Sequence, residues 1–386
     1  MTTYNRQPIA FEYGEGSWLI DDRGERYLDA LSGISVCNIG HANPKVAEAI
    51  SHQAARLLHT SNLYQIPLQT ELAEQLCDLS GLDSVFFCNS GAEANEAAIK
   101  ICRKSANQRG MKEPVIIVMC GSFHGRTMAT LSATGNDKVH EGFGPLLTGF
   151  HHVPYDQVGV LRELAKQDLE IIAVMLEPIQ GEGGVVVPQP EYLKSIREIC
   201  TENDWLMVLD EVQTGMCRTG KWFAFQHEQV RPDVMTLAKS LGNGVPIGAC
   251  LANARAAECM SAGSHGSTFG GNPLAARTAL TVIEFMTVNK IAERVASLGN
   301  TMFSEFTQAL AGISGISDIR GKGLMIGIQL DRDCVELVNL ALEEKLLLNV
   351  TAGNVLRLLP PLTMTDEEKD LIISKVCALL KDYLTN

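Results

Sequence analysis

The sequence predicts an α/β fold, with a large domain built on a mostly parallel sheet between helices and a smaller α+β domain beside it. Three observations lead there. Short runs rich in valine, isoleucine and phenylalanine alternate with longer stretches of helical period, as in "SVFFCNS" before "AEANEAAIKICRKSA" and "IIAVMLEP" before "EYLKSIREICTEND". Near-continuous apolar strands separated by amphipathic helices imply a parallel sheet covered on both faces. Polar residues and glycines then concentrate where these runs end, in "CNSGAEAN", "CGSFHGRT", "EPIQGEGG", "DEVQTG" and "AKSLGNG". Ligands of such sheets bind beyond the carboxyl ends of the strands. From about residue 275 the pattern changes to a long helix, "LAARTALTVIEFMTV", followed by "IRGKGLMIGIQL" and "NVLRLLPPLTMTDEE".

In chain order, the opening "GSWLIDDRGERYLDALSG" reads as a hairpin turning at Asp-Arg-Gly. Residues 1–45 are expected to pack with the small domain, 46–274 to form the large domain and 275–386 the small one. No repeat, low-complexity segment or linker interrupts them.

Composition narrows the class of function. At 386 residues the chain can bury a sizeable core. Its hydrophobic fraction is 46% with no apolar stretch of membrane-spanning length, and "MTTYNRQPIAFEYGEG" lacks the basic start and apolar core of a signal peptide. A cytoplasmic protein is expected. The 11 cysteines never fall at C-x-x-C spacing and several sit in apolar runs such as "VFFCNS" and "IIVMC". Reduced, buried thiols fit this better than disulfides or a metal site. A formal charge of −13 with no basic stretch leaves out the electrostatic attraction that drives nucleic-acid binding. A small-molecule enzyme remains.

The strand ends carry the chemistry. In "SGAEANE", Ser90 can cap the following helix, Glu93 can close a capping box, and Gly91 lets a ligand reach bare amides at the positive helix end. Standing alone, that motif is more often a well-capped helix without a ligand. "GSFHGRT" sets Phe123 beside Arg126, an aromatic face suited to a planar ring and a guanidinium suited to a carboxylate. A surface turn with an incidental arginine is its plainer reading. Two apolar runs, "WLMVLD" and "DVMTLAK", end on Asp210 and Lys239. A carboxylate at a buried strand end needs a cation, and a protonated pyridine nitrogen is one. At about 4 Å that attraction is worth about 4 kcal/mol at intermediate dielectric, or about three pKa units. Gln213 stands within reach of a ring hydroxyl, and Lys239 offers a primary amine that condenses with an aldehyde when desolvated. Phosphate cradle, stacking aromatic, buried carboxylate and strand-end lysine together describe a pyridoxal 5'-phosphate site. A structural ion pair is the alternative for Asp210 and Lys239.

At this point the chain resembles a known family. "FFCNSGAEANEAAIK", "FHGRT", "EPIQGEGGVV", "LDEVQTG", "AKSLGNGVPIGA" and "GSTFGGNPLA" occur in the order and spacing of the class III, ornithine-type aminotransferases of pyridoxal phosphate fold type I. The resemblance covers nearly the whole chain. It implies that Lys239 carries the cofactor and moves the proton, that Asp210 partners the pyridinium and that Gln213 contacts the ring hydroxyl. Phe123 would stack on the ring, with Ser90, Gly91, Ala92 and Val212 completing the cofactor cradle. Thr268 would be a phosphate ligand donated by the other subunit of a homodimer with shared active sites, and Ser267 would lie near the substrate. Arg126 would hold the distal carboxylate in both half-reactions and Arg357 the α-carboxylate of glutamate. Glu182 would neutralise Arg357 when an amine substrate is present, since an unpaired buried cation would repel it. Surface pairing of Arg357 and Glu182 with other groups is the plainer alternative.

Ile34 lies where ornithine enzymes of the family place a tyrosine, and with the opening "YGEGSWLIDDRGERYLD" it tilts the resemblance toward the acetylornithine group. Expected substrates are then acetylornithine and glutamate or 2-oxoglutarate, with succinyldiaminopimelate as a further amine donor. Succinylornithine, 4-aminobutyrate or ornithine transamination, a racemase or mutase on the same fold, and a catalytically silent cofactor binder are the competing readings. One departure stands out: in "GMCRTG", Cys217 occupies a position where the family commonly has glycine, which costs strain if that position needs positive φ.

Overall fold

The computed structural model describes residues 1–385. Seven strands form the central sheet, in the order Ser84–Cys88, Gly248–Ala252, Val234–Leu237, Leu206–Asp210, Ile171–Leu176, Val115–Met119, Phe150–Val153. All neighbours are parallel except Gly248–Ala252, which runs antiparallel to both strands it joins. The short "GACLA" has too few branched residues to announce itself as a strand. Its reversal leaves the carboxyl ends of the other six strands at one edge of the sheet.

Alternation along each strand explains the continuous apolar runs. Leu206 and Val208 face the helix Gly91–Gln108 through its Ala97, Ala98 and Ile101. Met207 and Leu209 face the other way, toward Ile196 and Ile199 of the helix Tyr192–Glu202. Both faces of these strands therefore call for apolar side chains along their length. Small alanines on the first helix let its axis approach the sheet closely.

A four-stranded sheet, in the order Ile316–Lys322, Met325–Leu330, Val355–Leu358, Asn349–Thr351, forms the core of the smaller domain with the helix Ile291–Ala309 packed against it. The opening strands Phe11–Glu15, Trp18–Asp21 and Arg26–Asp29 form a meander whose last member pairs in parallel with Leu346–Leu347. The Asp-Arg-Gly turn is present, with Gly24 at φ +81°. Among the described residues no helix is long and apolar enough to cross a membrane, and no cluster of His, Cys, Asp and Glu is placed to hold a metal.

The cysteines are free, and Cys88, Cys102 and Cys217 are buried as expected. Cys120 corrects the expectation for "IIVMC": it follows the last strand residue, where the chain turns away at Gly121, and is exposed. Cys37 and Cys77 are half-buried. Cys217 adopts φ +68°, directly after Met216 at φ +54°. The strain foreseen for a side chain at this position is therefore real, and full burial of both residues in the core holds them there.

One buried cation joins the parts. Arg218, fully inaccessible, donates from Nη1 to the carbonyls of Leu324 at 2.9 Å and Pro360 at 2.7 Å, from Nε to Ser35 Oγ at 3.1 Å, and from Nη2 to Asn38 Oδ1. Burial lowers its pKa to about 9, against the opposing charge of Asp29, so it stays protonated at neutral pH. Removing it leaves these acceptors buried without a donor. Arg218→Ala is expected to destabilise the protein by about 3 kcal/mol, with Arg218→Lys falling between the two, measured as the shift in thermal midpoint.

Candidate active site

The carboxyl ends of the strands enclose a cavity of about 400 Å³. Its floor is a network around Asp210, which is 4% exposed. Asp210 Oδ2 accepts hydrogen bonds from Asn95 Nδ2 at 2.7 Å and His124 Nδ1 at 2.8 Å, and its Oδ1 accepts from the Val212 amide at 3.0 Å. Asn95 is fixed in turn by Thr236, whose hydroxyl donates to Asn95 Oδ1 at 2.7 Å. These donors fix the orientation of the Asp210 carboxylate.

At one side of the cavity begins the helix Gly91–Gln108. Ser90 Oγ accepts from the Glu93 amide at 3.2 Å, while Glu93 reaches back to the Asn89 amide, one residue before the usual partner. The capping box is thus displaced, and the first amides, on Gly91 and Ala92, stand at the cavity that those residues line. Gly91 is required by contact: a Cβ there would lie 2.8 Å from Val212 Cγ1. Phe123 and Val212 also line the cavity as apolar walls, and the Arg126 guanidinium sits 5.4 Å from the Phe123 ring centre.

Lys239 follows the strand Val234–Leu237 in a left-handed conformation, φ +46°. Burial pulls its amine below the ordinary lysine range, with the Arg357 charge adding to the effect and Glu182, Asp210 and Glu177 opposing it. A depressed amine is a better base and nucleophile near neutral pH.

Opposite stands an ion pair between a buried arginine and a half-buried glutamate. Arg357, fully inaccessible, donates from Nη1 to Glu182 Oε1 at 2.7 Å and to Gln213 Oε1 at 3.3 Å, and from Nε to Asn349 Oδ1 at 3.1 Å. Its Nη2 is buried and has no partner among the described residues. Burial alone would raise the Glu182 carboxyl, but the charges of Arg357 and Lys239 and hydrogen bonds from Arg357 and Gln213 bring it below the usual range.

Ten of the expected residues therefore line one cavity: Ser90, Gly91, Ala92, Phe123, Arg126, Glu182, Asp210, Val212, Gln213 and Lys239. Arg357 stands directly behind Glu182. Gln213, read as a ring-hydroxyl contact, also bonds Arg357. Ser267, Thr268 and Ile34 do not line the cavity. Ser267 Oγ bonds Asn89 and the Gly270 amide, and Thr268 is exposed beside Phe269.

Ile34 lies in an unusual turn. Ser32, Gly33, Ile34 and Ser35 all have positive φ, at 47°, 65°, 65° and 59°. The turn is pinned by Asp29 Oδ1, which accepts from the amides of Leu31 and Ser32 at 2.9 and 2.8 Å, by Ser32 Oγ donating to the Leu359 carbonyl at 2.7 Å, and by Arg218.

Among the cavity residues that escaped the sequence reading, Glu177, His124 and Asn95 carry the polar network. Glu177 ends the strand run "IIAVMLEP" in the same manner as Asp210, so the signal was present. It accepts from the amides of Phe123 and Gly181, both at 3.1 Å, and burial together with nearby Asp210 raises its pKa to about 7 despite the neighbouring His124. His124 was visible in "FHGRT", but only the fold shows that it faces Asp210. Asn95, one turn into a helix, carries no local signal at all.

The family model described as aminotransferase class-III matches residues 2–380. The chain belongs to the class III aminotransferases. It is 54% identical to acetylornithine aminotransferase of Nitrosomonas europaea over 384 residues, covering 100% of this chain and 98% of the relative. It is 48% identical to the acetylornithine aminotransferase of Methanothermobacter thermautotrophicus, covering 99% and 96%. Among solved structures, acetylornithine aminotransferase from Elizabethkingia anophelis aligns with a TM-score of 0.90 at 36% identity over 99% of this chain and 96% of that one. Ornithine aminotransferase from Toxoplasma gondii aligns with a TM-score of 0.96 at 35% identity over 100% and 93%.

This class III aminotransferase uses pyridoxal 5'-phosphate. The cavity fits that group: helix-end amides at one side, Phe123 and Val212 as apolar walls, the Asp210 carboxylate at the floor, and a depressed amine. Filling the cradle should expel the cofactor. Gly91→Ala is expected to weaken cofactor binding roughly tenfold, and Val212→Ala in the same chain to recover part of it, read by titrating the apoprotein with cofactor and following absorbance.

Proposed function

We propose that the chain transfers the δ-amino group of N2-acetyl-L-ornithine to 2-oxoglutarate, giving N-acetylglutamate semialdehyde and glutamate, as a cytoplasmic homodimer with shared active sites. In arginine biosynthesis the reaction runs with glutamate as donor. The observation that carries this reading is the pairing of buried Arg357 with half-buried Glu182 at 2.7 Å beside a depressed lysine. Glutamate brings two carboxylates, whereas acetylornithine brings one carboxylate and an amine at the reacting end. A site serving both needs an arginine that is available for the first and neutralised for the second. The unpartnered Nη2 of Arg357 is a donor suited to the α-carboxylate of glutamate, and Glu182 supplies the neutralisation when the amine enters.

Arg126, exposed at the mouth, suits the distal carboxylate of either substrate. Bound cofactor supplies the electron sink and carries the amino group between the two half-reactions. Asp210, its orientation fixed by Asn95 and His124, would hold a bound cofactor by its pyridine nitrogen and keep that nitrogen protonated. With the cofactor in place, Lys239 Nζ would be the base that takes the proton from the amine-bearing carbon of the substrate, a role typically worth about 10² to 10⁴ in rate.

For the dimer, Thr268 is exposed on a surface that also shows Leu63, Tyr64 and Phe269 at 87%, 70% and 61% exposure. Asn62 ties these segments together, donating to the carbonyls of Ser267 and Gly270. An apolar surface of this kind suits a second copy of the chain, into whose site Thr268 would project.

Mixing holoenzyme with single amino donors tests the reading. Rapid bleaching of the cofactor band by acetylornithine and by glutamate, with ornithine and 4-aminobutyrate much slower, is expected; a comparable rate with succinyldiaminopimelate makes the enzyme bifunctional. Bleaching by ornithine or 4-aminobutyrate alone overturns the substrate assignment. Glu182→Ala is expected to slow the acetylornithine half-reaction at least tenfold and the glutamate half-reaction far less, because it leaves Arg357 buried and unpaired only when the amine is bound. Equal losses in both reject the role given to Glu182.

A further inference from the structure

We propose that Arg320 is the positioning residue for Glu182, acting by gripping the backbone of the loop that carries it. The inference rests on the role given to Glu182 above. The loop Gly181–Val185 is unfavourable in isolation: Gly184 has φ +111° and Val185, a β-branched residue, has φ +50°. A backbone bridge between Gln180 and Val186, at 3.1 and 3.0 Å, closes its base, but within it there are only weak bonds, from the amides of Gly184 and Val185 to the Gly181 carbonyl, both at 3.3 Å. The grip on its tip comes from the smaller domain. Arg320 Nε donates to the Gly184 carbonyl at 3.1 Å and the Val185 carbonyl at 2.9 Å, and Nη2 donates to Gly184 again at 2.6 Å. The opposite corner of the guanidinium is anchored, Nη1 donating to Asp318 Oδ2 at 2.9 Å and Gln329 Oε1 at 2.6 Å. Thr351 adds a second grip from the same sheet, its hydroxyl donating to the carbonyl of Glu182 itself.

The consequence is geometric. With its own carbonyl and those two and three residues on held, Glu182 has only side-chain torsions left to move, so its carboxylate leaves Arg357 and returns without the loop following. The charges acting most on Glu182 are those of Arg357 and Lys239, while the guanidinium of Arg320 is spent on carbonyls, on Gln329 and on its own partner Asp318. Arg320 therefore works through position. A lysine at this place keeps the charge and one bond but loses the planar fork that spans two carbonyls.

The test measures both half-reactions of the holoenzyme by single-turnover bleaching in Arg320→Lys and Arg320→Ala, alone and combined with Glu182→Ala. Arg320→Ala is expected to slow the acetylornithine half-reaction about tenfold and the glutamate half-reaction by less than about threefold, with Arg320→Lys between it and the parent. In the Glu182→Ala background Arg320→Ala should add less than about twofold, because its route of action is already gone. Thr351→Val, which leaves the guanidinium intact, should reproduce a smaller loss of the same selectivity and serves if the arginine variants fold poorly. Equal slowing of both half-reactions by Arg320→Ala, or a selective loss that persists undiminished without Glu182, overturns the proposal while leaving the role of Glu182 standing. If Glu182→Ala alone slows both half-reactions equally, the role of Glu182 falls and this inference falls with it.

Discussion

A reactive amine among buried charges sets the terms for the whole site. Lys239 is useful when its amine is free of a proton, and burial beside Arg357 pushes it that way; Glu182, Asp210 and Glu177 pull against this. Each of those carboxylates must in turn be satisfied, and the fold supplies the donors. Asp210 has Asn95, His124 and an amide, Glu177 has two amides, and Glu182 has Arg357. Take away any one, and a neighbour is left charged in a place of low dielectric. The network is a set of mutual requirements more than a list of contacts.

Those requirements decide where the smaller domain must sit. Arg357 comes from the strand Val355–Leu358 of its sheet, yet answers to Glu182 at the strand ends of the other. Arg218 reaches the opposite way, from the loop after Asp210 to the carbonyls of Leu324 and Pro360. The two arginines cross the same junction in opposite directions. Both are fully buried, so the two parts of the molecule are joined through polar geometry as well as through apolar contact.

Much of this was legible in the sequence, and the limits follow a physical line. Apolar runs ending on Asp210 and Lys239 could be read because a charge at a buried strand end is locally anomalous. Glu177 carried the same anomaly and went unread among the glycines that follow it. The long helices and the opening hairpin at Asp-Arg-Gly were visible through period and turn chemistry, whereas Gly248–Ala252 was hidden by its small residues. Asn95, Arg218 and Arg320 lay outside reach for another reason. Each does its work on residues more than a hundred positions away, Arg218 on Ser35 and Leu324, Arg320 on Gly184, and Asn95 on Asp210. No local pattern encodes that.

The left-handed turn at residues 32–35 has a consequence for how such an enzyme diversifies. Its backbone conformation is imposed from outside, by Asp29, Arg218 and the Leu359 carbonyl, and owes nothing to the side chain of Ile34, which is 36% exposed. Replacing that side chain leaves every one of those restraints in place. An asparagine or glycine would even suit the torsion angles better than isoleucine does. Position 34 is a socket whose frame is built elsewhere, so its occupant is free to drift while the scaffold around it stays fixed.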